Sequence, residues 1–174
     1  MNIANRLTLL RVALIPVFLI VLYWGFPCSQ YVGLVIFIGA SITDFVDGHL
    51  ARSRNLVTDF GKFMDPLADK VLVVTAMLWF VQTGVIPAWA VAIVILREFA
   101  VSGMRLVAVE QGRVIAAAWS GKIKTASTMV CLCLMFLPLP YIVNCICVAV
   151  IVITTLVSGV EYFVKNRDVF SGEM

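Results

Sequence analysis

Apolar residues arrive in this chain as long blocks rather than as stripes. Six blocks stand out, at residues 7–24, 31–50, 66–81, 87–109, 122–137 and 141–164. A surface helix of a soluble protein keeps its apolar side chains on one face, at three- and four-residue spacing. These blocks are apolar all round, and most approach the ~20 residues needed to span a hydrocarbon core. The pattern predicts an all-α integral membrane protein with six transmembrane helices.

The polar positions between the blocks orient them. Three connections, at residues 25–30, 82–86 and 138–140, are short and uncharged. Every Lys and Arg lies away from these three, and the acids lie on the same side as the basic residues. That alternation is the positive-inside arrangement, and it predicts that both termini are cytoplasmic. The opening NIANRLTLLR mixes apolar and basic residues, which suits a short N-terminal segment lying along the inner interface. Composition agrees with the membrane reading: 62% of the 174 residues are hydrophobic and the mean hydropathy is +1.04. The net charge of +3 matters only through its placement, and no nucleic-acid partner is expected. No repeat or long linker divides residues 1–174, which read as one domain. A cleaved signal peptide is not expected, because the first apolar block lacks a small-x-small processing site.

Depth turns some of the charges into a problem. At about 1.5 Å per residue, Asp44, Asp69 and Lys122 lie roughly 20 Å from the outer face, and Arg97 and Glu98 roughly 15 Å. The core is about 30 Å thick, and a charge at its centre costs about 2.5–3.5 kcal/mol even on a lenient scale. Charges from four helices must therefore line a polar cavity open to the cytoplasmic side, each with a partner.

The densest run is DFVDGHLARSRNLVTDFGKFMDPLADK, starting at Asp44. Asp44 and Asp47, three apart, share a helix face with Arg52, and Asp65 and Asp69, four apart, share a face of the next helix. Pro66 is acceptable there as a residue of the first turns. Four carboxylates brought together repel one another and demand cations. An all-oxygen set without paired His or Cys suits a hard divalent ion, Mg²⁺ or Mn²⁺. A helix cap or a solvated loop accounts for Asp59 or Asp65 taken singly, but a carboxylate set at this depth is functional by default. Gly48, Ala51 and Gly61 interleave with the acids. Small residues let helices approach closely or leave a slot for a flat group, here one the size of a nucleotide.

Written out, the run is D-x2-D-G-x2-A-R-x8-G-x3-D-x3-D, with eight specified positions. It resembles the signature of the CDP-alcohol phosphotransferases, a family with six-helix membrane architecture. Asn5 to Arg11 (N-x2-T-x2-R), Arg97 to Arg105 (REFAVSGMR) and Gly121 to Thr125 (GKIKT) are similar to segments of the bacterial phosphatidylglycerophosphate synthases within that family. The resemblance implies transfer of a phosphatidyl group from CDP-diacylglycerol to sn-glycerol 3-phosphate, giving phosphatidylglycerophosphate and CMP. It implies a homodimer in the bacterial cytoplasmic membrane, in contact with membrane lipids. Asp44, Asp47 and Asp65 would hold a pair of metal ions, with Asp69 touching the second ion and serving as the catalytic base. Gly48, Arg52 and Thr58 would bind CDP-diacylglycerol, with Asn5, Thr8 and Gly61 as further candidates. The chain departs from the subfamily at Thr128, where Gln is expected.

The second half carries Arg97, Arg105, Arg113, Lys122 and Lys124. Arg113 reads as ordinary inner-face charge, whereas Arg97 and Lys122 are placed too deep for that. Arg97 and Arg105, eight apart, share a face suited to a phosphate dianion, with the adjacent Glu98 holding an arginine in place. Arg97, Arg105, Lys122 and Lys124 are thus the candidate glycerol-phosphate ligands. Choline or ethanolamine needs no such pocket, while an inositol phosphate meets the same electrostatics and stays an alternative acceptor. A divalent-cation transporter also uses intramembrane carboxylates, but no polar path crosses the outer half of the spans and no inverted repeat is visible. His49, the single histidine, has no partner in the pattern and reads as structural. Cys131-x-Cys133 and Cys145-x-Cys147 do not share helix faces, so the five cysteines read as small packing side chains without disulfides. Trp24, Trp79 and Trp89 fall where an outer interfacial belt is expected.

Overall fold

The computed structural model describes residues 3–53, 59–113, 115–116 and 118–169, with the backbone alone described for 3–8, 44–53, 59–63 and 65–66. Six helices succeed one another, with no strand among the described residues: α1 (Ile3–Trp24), α2 (Ser29–Ser53), α3 (Asp59–Gln82), α4 (Ala88–Glu110), α5 (Trp119–Met135) and α6 (Tyr141–Lys165). A 3-10 turn follows at Arg167–Val169. Each helix overlaps one of the six apolar blocks.

Two helix starts differ from expectation. α3 opens at Asp59 rather than at residue 66. Its first turns, DFGKFMD, carry too much charge to register in an apolar scan, although Asp59 is the helix-start residue expected from its chemistry. Pro66 therefore falls inside the helix, where it has no N–H to offer the carbonyl four residues back. The N-terminal segment is not a separate element either, since α1 runs from Ile3 to Trp24 with Pro16 inside it.

Among the described residues, α6 alone is long and apolar enough to cross a membrane, while Leu9–Trp24 and Ser29–Thr43 are shorter apolar helices. α4 has 23 residues, but Arg97, Glu98 and Arg105 interrupt its apolar run. α5 has 17 residues and carries Lys122 and Lys124 near its start.

The chain forms two compact units, Met1–Trp79 and Phe80–Met174. In the first, α1 lies on α2. Phe18 and Phe37 meet there with ring centroids 6.3 Å apart, and both are fully buried. Gly33 makes this close approach possible, because a Cβ at that position would stand 2.6 Å from Leu22 Cδ2. On α3, Ala68, Leu72, Ala76 and Trp79 form a buried stripe at helical spacing. Trp79 is therefore 7% exposed and is not a belt residue, whereas Trp24 and Trp89 are exposed.

In the second unit α6 packs on both α4 and α5. The paired positions fix the directions. Arg97 meets Ser158, Arg105 meets Tyr162 and Gln111 meets Val169, so α4 and α6 run the same way. Gly121 stands beside Ser158 and Ser127 bonds Thr154, so α5 runs opposite to α6. Small side chains along the α5–α6 seam let the two backbones come close, which is how helices associate where lipid removes any hydrophobic drive.

The helix ends follow from two glycines. Gly84 and Gly112 have φ of 76° and 72°, a region that costs an L-residue about 1–2 kcal/mol. After α4, Gly112 N donates to Val109 O at 2.9 Å and Arg113 N to Ala108 O at 2.8 Å. After α3, Gly84 N donates to Val81 O at 3.1 Å and Val85 N to Phe80 O at 2.9 Å. Both are Schellman ends, in which a left-handed residue satisfies carbonyls the helix leaves open. Below α4, Val101, Met104, Ala108, Tyr162 and Val169 form a small core. Gln111 Nε2 donates to Val169 O at 3.1 Å, tying the 3-10 turn back to α4.

Candidate active site

The centre of α4 holds two charges, Arg97 and Glu98, within a helix that is otherwise apolar around them. Each finds a partner. Arg97 Nη1 donates to Glu98 Oε1 at 2.9 Å, and Lys124 Nζ, reaching across from α5, donates to the same oxygen at 2.6 Å. Arg97 Nη2 donates to Ser158 Oγ of α6 at 2.6 Å. The three ionised side chains are 13%, 18% and 8% exposed for Arg97, Glu98 and Lys124. Charged hydrogen bonds of this kind are shorter and stronger than neutral ones, and burial without them would cost several kcal/mol per ion. One carboxylate against two cations leaves the trio one positive charge in excess.

Glu98 thus holds an arginine as expected, and it also holds a lysine. The lysine is Lys124, not Lys122. Lys124 is buried, whereas Lys122 is exposed, with its Nζ 5.0 Å from the centre of the Trp119 ring. Helix geometry separates the two lysines. Residues two apart point to nearly opposite sides, and the side of α5 that carries Lys124 also carries buried Thr128, Cys131 and Leu132.

Arg105, two turns along α4 from Arg97, is exposed. Its Nε donates to Tyr162 Oη at 2.9 Å, and its guanidinium carbon is 5.6 Å from the ring centre. Both arginines therefore address α6. Arg97 and Lys124 are drawn together by Glu98, while Arg105 and Lys122 stand on partners of their own. Thr128 is 2% exposed, and its hydroxyl has no hydrogen-bond partner among the described residues.

On the acidic side, Asp69 is half-buried on α3. The backbones of Asp44, Asp47, Gly48 and Arg52 lie on α2, and those of Gly61 and Asp65 on α3. Their side chains, with those of Asn5, Thr8 and His49, are outside the described set, and Thr58 lies outside the described residues. The helical spacings expected for Asp44 with Asp47 and for Asp65 with Asp69 therefore hold along α2 and α3. Among the described residues no three His, Cys, Asp or Glu stand close enough to hold a metal ion. The five cysteines are free thiols.

Ser158 was not singled out by sequence. A lone serine in a Val- and Ile-rich helix carries no spacing signal. The pair Ser158-Gly159, small residues within an otherwise bulky stretch, is the one hint available.

Comparison with known proteins gives the chain its place. The sequence model of the CDP-alcohol phosphatidyltransferase family matches residues 1–160. The chain is 45% identical over 185 residues to the CDP-diacylglycerol–glycerol-3-phosphate 3-phosphatidyltransferase of Bacillus subtilis, covering 96% of both chains. It is 38% identical to the probable phosphatidylglycerophosphate synthase of Mycobacterium tuberculosis, over 97% of this chain and 83% of that one. It is 43% identical over 141 residues to the CDP-diacylglycerol–glycerol-3-phosphate 3-phosphatidyltransferase of Escherichia coli, over 75% of this chain and 74% of that one. A family match over most of the chain, and near full-length likeness to the Bacillus subtilis relative, join the acidic motif of α2 and α3: the chain is a member of the CDP-alcohol phosphatidyltransferase family.

Proposed function

We infer that the chain is a phosphatidylglycerophosphate synthase, which moves the phosphatidyl group of CDP-diacylglycerol onto sn-glycerol 3-phosphate and releases CMP. The observation that carries this is the 45% identity, over 96% of both chains, to a relative named for that reaction. The excess positive charge of Arg97, Glu98 and Lys124 supports a phosphorylated acceptor, since a neutral or cationic alcohol gains nothing from it.

In this reading the acceptor hydroxyl oxygen attacks the phosphatidyl phosphorus, the bond from that phosphorus to CMP breaks, and the hydroxyl proton passes to the Asp69 carboxylate. Gly48, Arg52 and Thr58, with Asn5, Thr8 and Gly61, hold the CDP moiety. Arg97, Arg105 and Lys124 draw in the acceptor phosphate, and Lys122, on the other side of α5, adds only to the surrounding positive charge. Asp44, Asp47, Asp65 and Asp69 form an oxygen-only donor set, which fits Mg²⁺ or Mn²⁺ and not a soft metal. Two such ions, when bound, neutralise the pyrophosphate and stabilise the leaving CMP.

The same reading makes the chain a multi-pass protein of the bacterial cytoplasmic membrane, with its charged ends on the cytoplasmic side. The alternating directions of α4, α5 and α6 support this, as does the exposed row Ile142, Ile146, Ile153, Val157, Val160 and Val164 along α6. An apolar face of that length in water is a liability, and in lipid it is ordinary. The homodimer implied by the family resemblance is checked by cross-linking in the membrane.

The test is purified protein in detergent with Mg²⁺, CDP-diacylglycerol and a panel of acceptors, read by CMP release. Glycerol 3-phosphate should give phosphatidylglycerophosphate. Release of CMP with inositol phosphate and not with glycerol 3-phosphate would move the chain to another acceptor class.

A further inference from the structure

We propose that Ser158 of α6 is a positioning residue for the acceptor site, fixing the direction in which the Arg97 guanidinium presents its free donors. This rests on the reading of Arg97 as an acceptor-phosphate ligand.

A guanidinium carries five N–H donors in one rigid plane. Two of them are engaged at Arg97, one on Nη1 by Glu98 Oε1 at 2.9 Å and one on Nη2 by Ser158 Oγ at 2.6 Å. These bonds come from different helices and hold different nitrogens. Because the fork is rigid, anchoring both outer nitrogens sets the orientation of every remaining donor. Glu98 alone would leave the plane free to swing about a single bond. Ser158 is 1% exposed, so its hydroxyl is a fixed acceptor rather than a mobile surface group.

The path of the arginine is moulded to the same end. A Cβ at Gly159 would stand 3.3 Å from Arg97 Cγ, and one at Gly121 would stand 3.6 Å from Arg97 Nη2 and 3.9 Å from Ser158 Oγ. The stem therefore runs over one glycine and the head over another, from α6 and α5 respectively. Arg97 Nε is buried, with no hydrogen-bond partner among the described residues. The buried part of the side chain is thus held by packing and by its two end bonds.

The experiment measures initial rates in detergent with wild-type protein, Ser158→Ala and Ser158→Thr, varying glycerol 3-phosphate and CDP-diacylglycerol independently. In Ser158→Ala, KM for glycerol 3-phosphate should rise about tenfold, as loss of a hydrogen bond to a charged group implies. KM for CDP-diacylglycerol should stay within twofold, and Ser158→Thr, which keeps the hydroxyl, should recover most of the loss. Gly159→Ala, which crowds the arginine stem and leaves the serine intact, should shift the same KM in the same direction. An unchanged acceptor KM in Ser158→Ala overturns the proposal, as does an equal rise in both KM values, which would mark a structural defect. A wild-type protein that releases no CMP with glycerol 3-phosphate overturns the functional reading and this inference with it. Wild-type activity with an unaffected alanine variant overturns the inference alone.

Discussion

Glu98 is the carboxylate that holds two cations of the second unit together. It accepts from Arg97 and from Lys124 through one oxygen, so its charge is what keeps a half-buried arginine and a buried lysine together. Glu98→Gln keeps the shape and removes the charge. It should cost about 3–5 kcal/mol, the range for breaking a buried ion pair, and thermal unfolding in detergent would register it. Lys122→Met should change stability by no more than about 0.5 kcal/mol, as an exposed substitution does, while Lys124→Met should cost clearly more. Equal losses at the two lysines would refute the division between them. Asp69 is the catalytic base of the proposed reaction. An amide cannot accept the hydroxyl proton, so Asp69→Asn should lower kcat by about 10²–10⁴-fold, the usual worth of a general base. Binding of CDP-diacylglycerol, followed by calorimetry, should persist, and full turnover in this variant would remove Asp69 from the role of base.

The helices owe their limits to a few positions, and those positions explain what could be read from sequence. Gly112 closes α4 in the left-handed region, so Gly112→Ala should destabilise by about 1 kcal/mol. Gly103, inside α4, meets nothing within 4 Å of a built Cβ, so Gly103→Ala should stabilise by about 0.5–1 kcal/mol. Thermal unfolding of the two variants should shift in opposite directions, and a shift of the same sign in both would undo the argument from backbone conformation. The helices themselves were legible because apolar blocks are long and their uncharged connections are short. The start of α3 was not, because Asp59, Lys62 and Asp65 look like loop until the helix is seen to begin there. The shared faces of Asp44 with Asp47 and of Asp65 with Asp69 were legible through spacing, which depends only on helical repeat, and the whole motif through its resemblance to a family signature. The choice between Lys122 and Lys124 was not, since spacing says that they diverge and leaves open which one meets α4. Ser158 was hidden for the same reason: its role lies in a partner 61 residues away.

At the scale of the whole molecule the decisive question is which ends of the helices face which compartment. If the charged ends are cytoplasmic, the uncharged α1–α2 connection faces outward, and with it Cys28, an exposed free thiol. Cys145 is also exposed, one turn into α6, and would compete for the same reagent. Replacing Cys145 by Ala leaves Cys28 as the one exposed native thiol among the described residues. In intact cells a membrane-impermeant maleimide should label Cys28 directly. A cysteine introduced at Gln111, an exposed position just past the end of α4, should label only after the membrane is opened. Labelling of both sites in intact cells, or the reverse order, would contradict cytoplasmic charged ends. The proposed reaction depends on that topology, because CDP-diacylglycerol and glycerol 3-phosphate must meet at one phosphorus. The labelling pattern therefore tests the topology on which that chemistry rests.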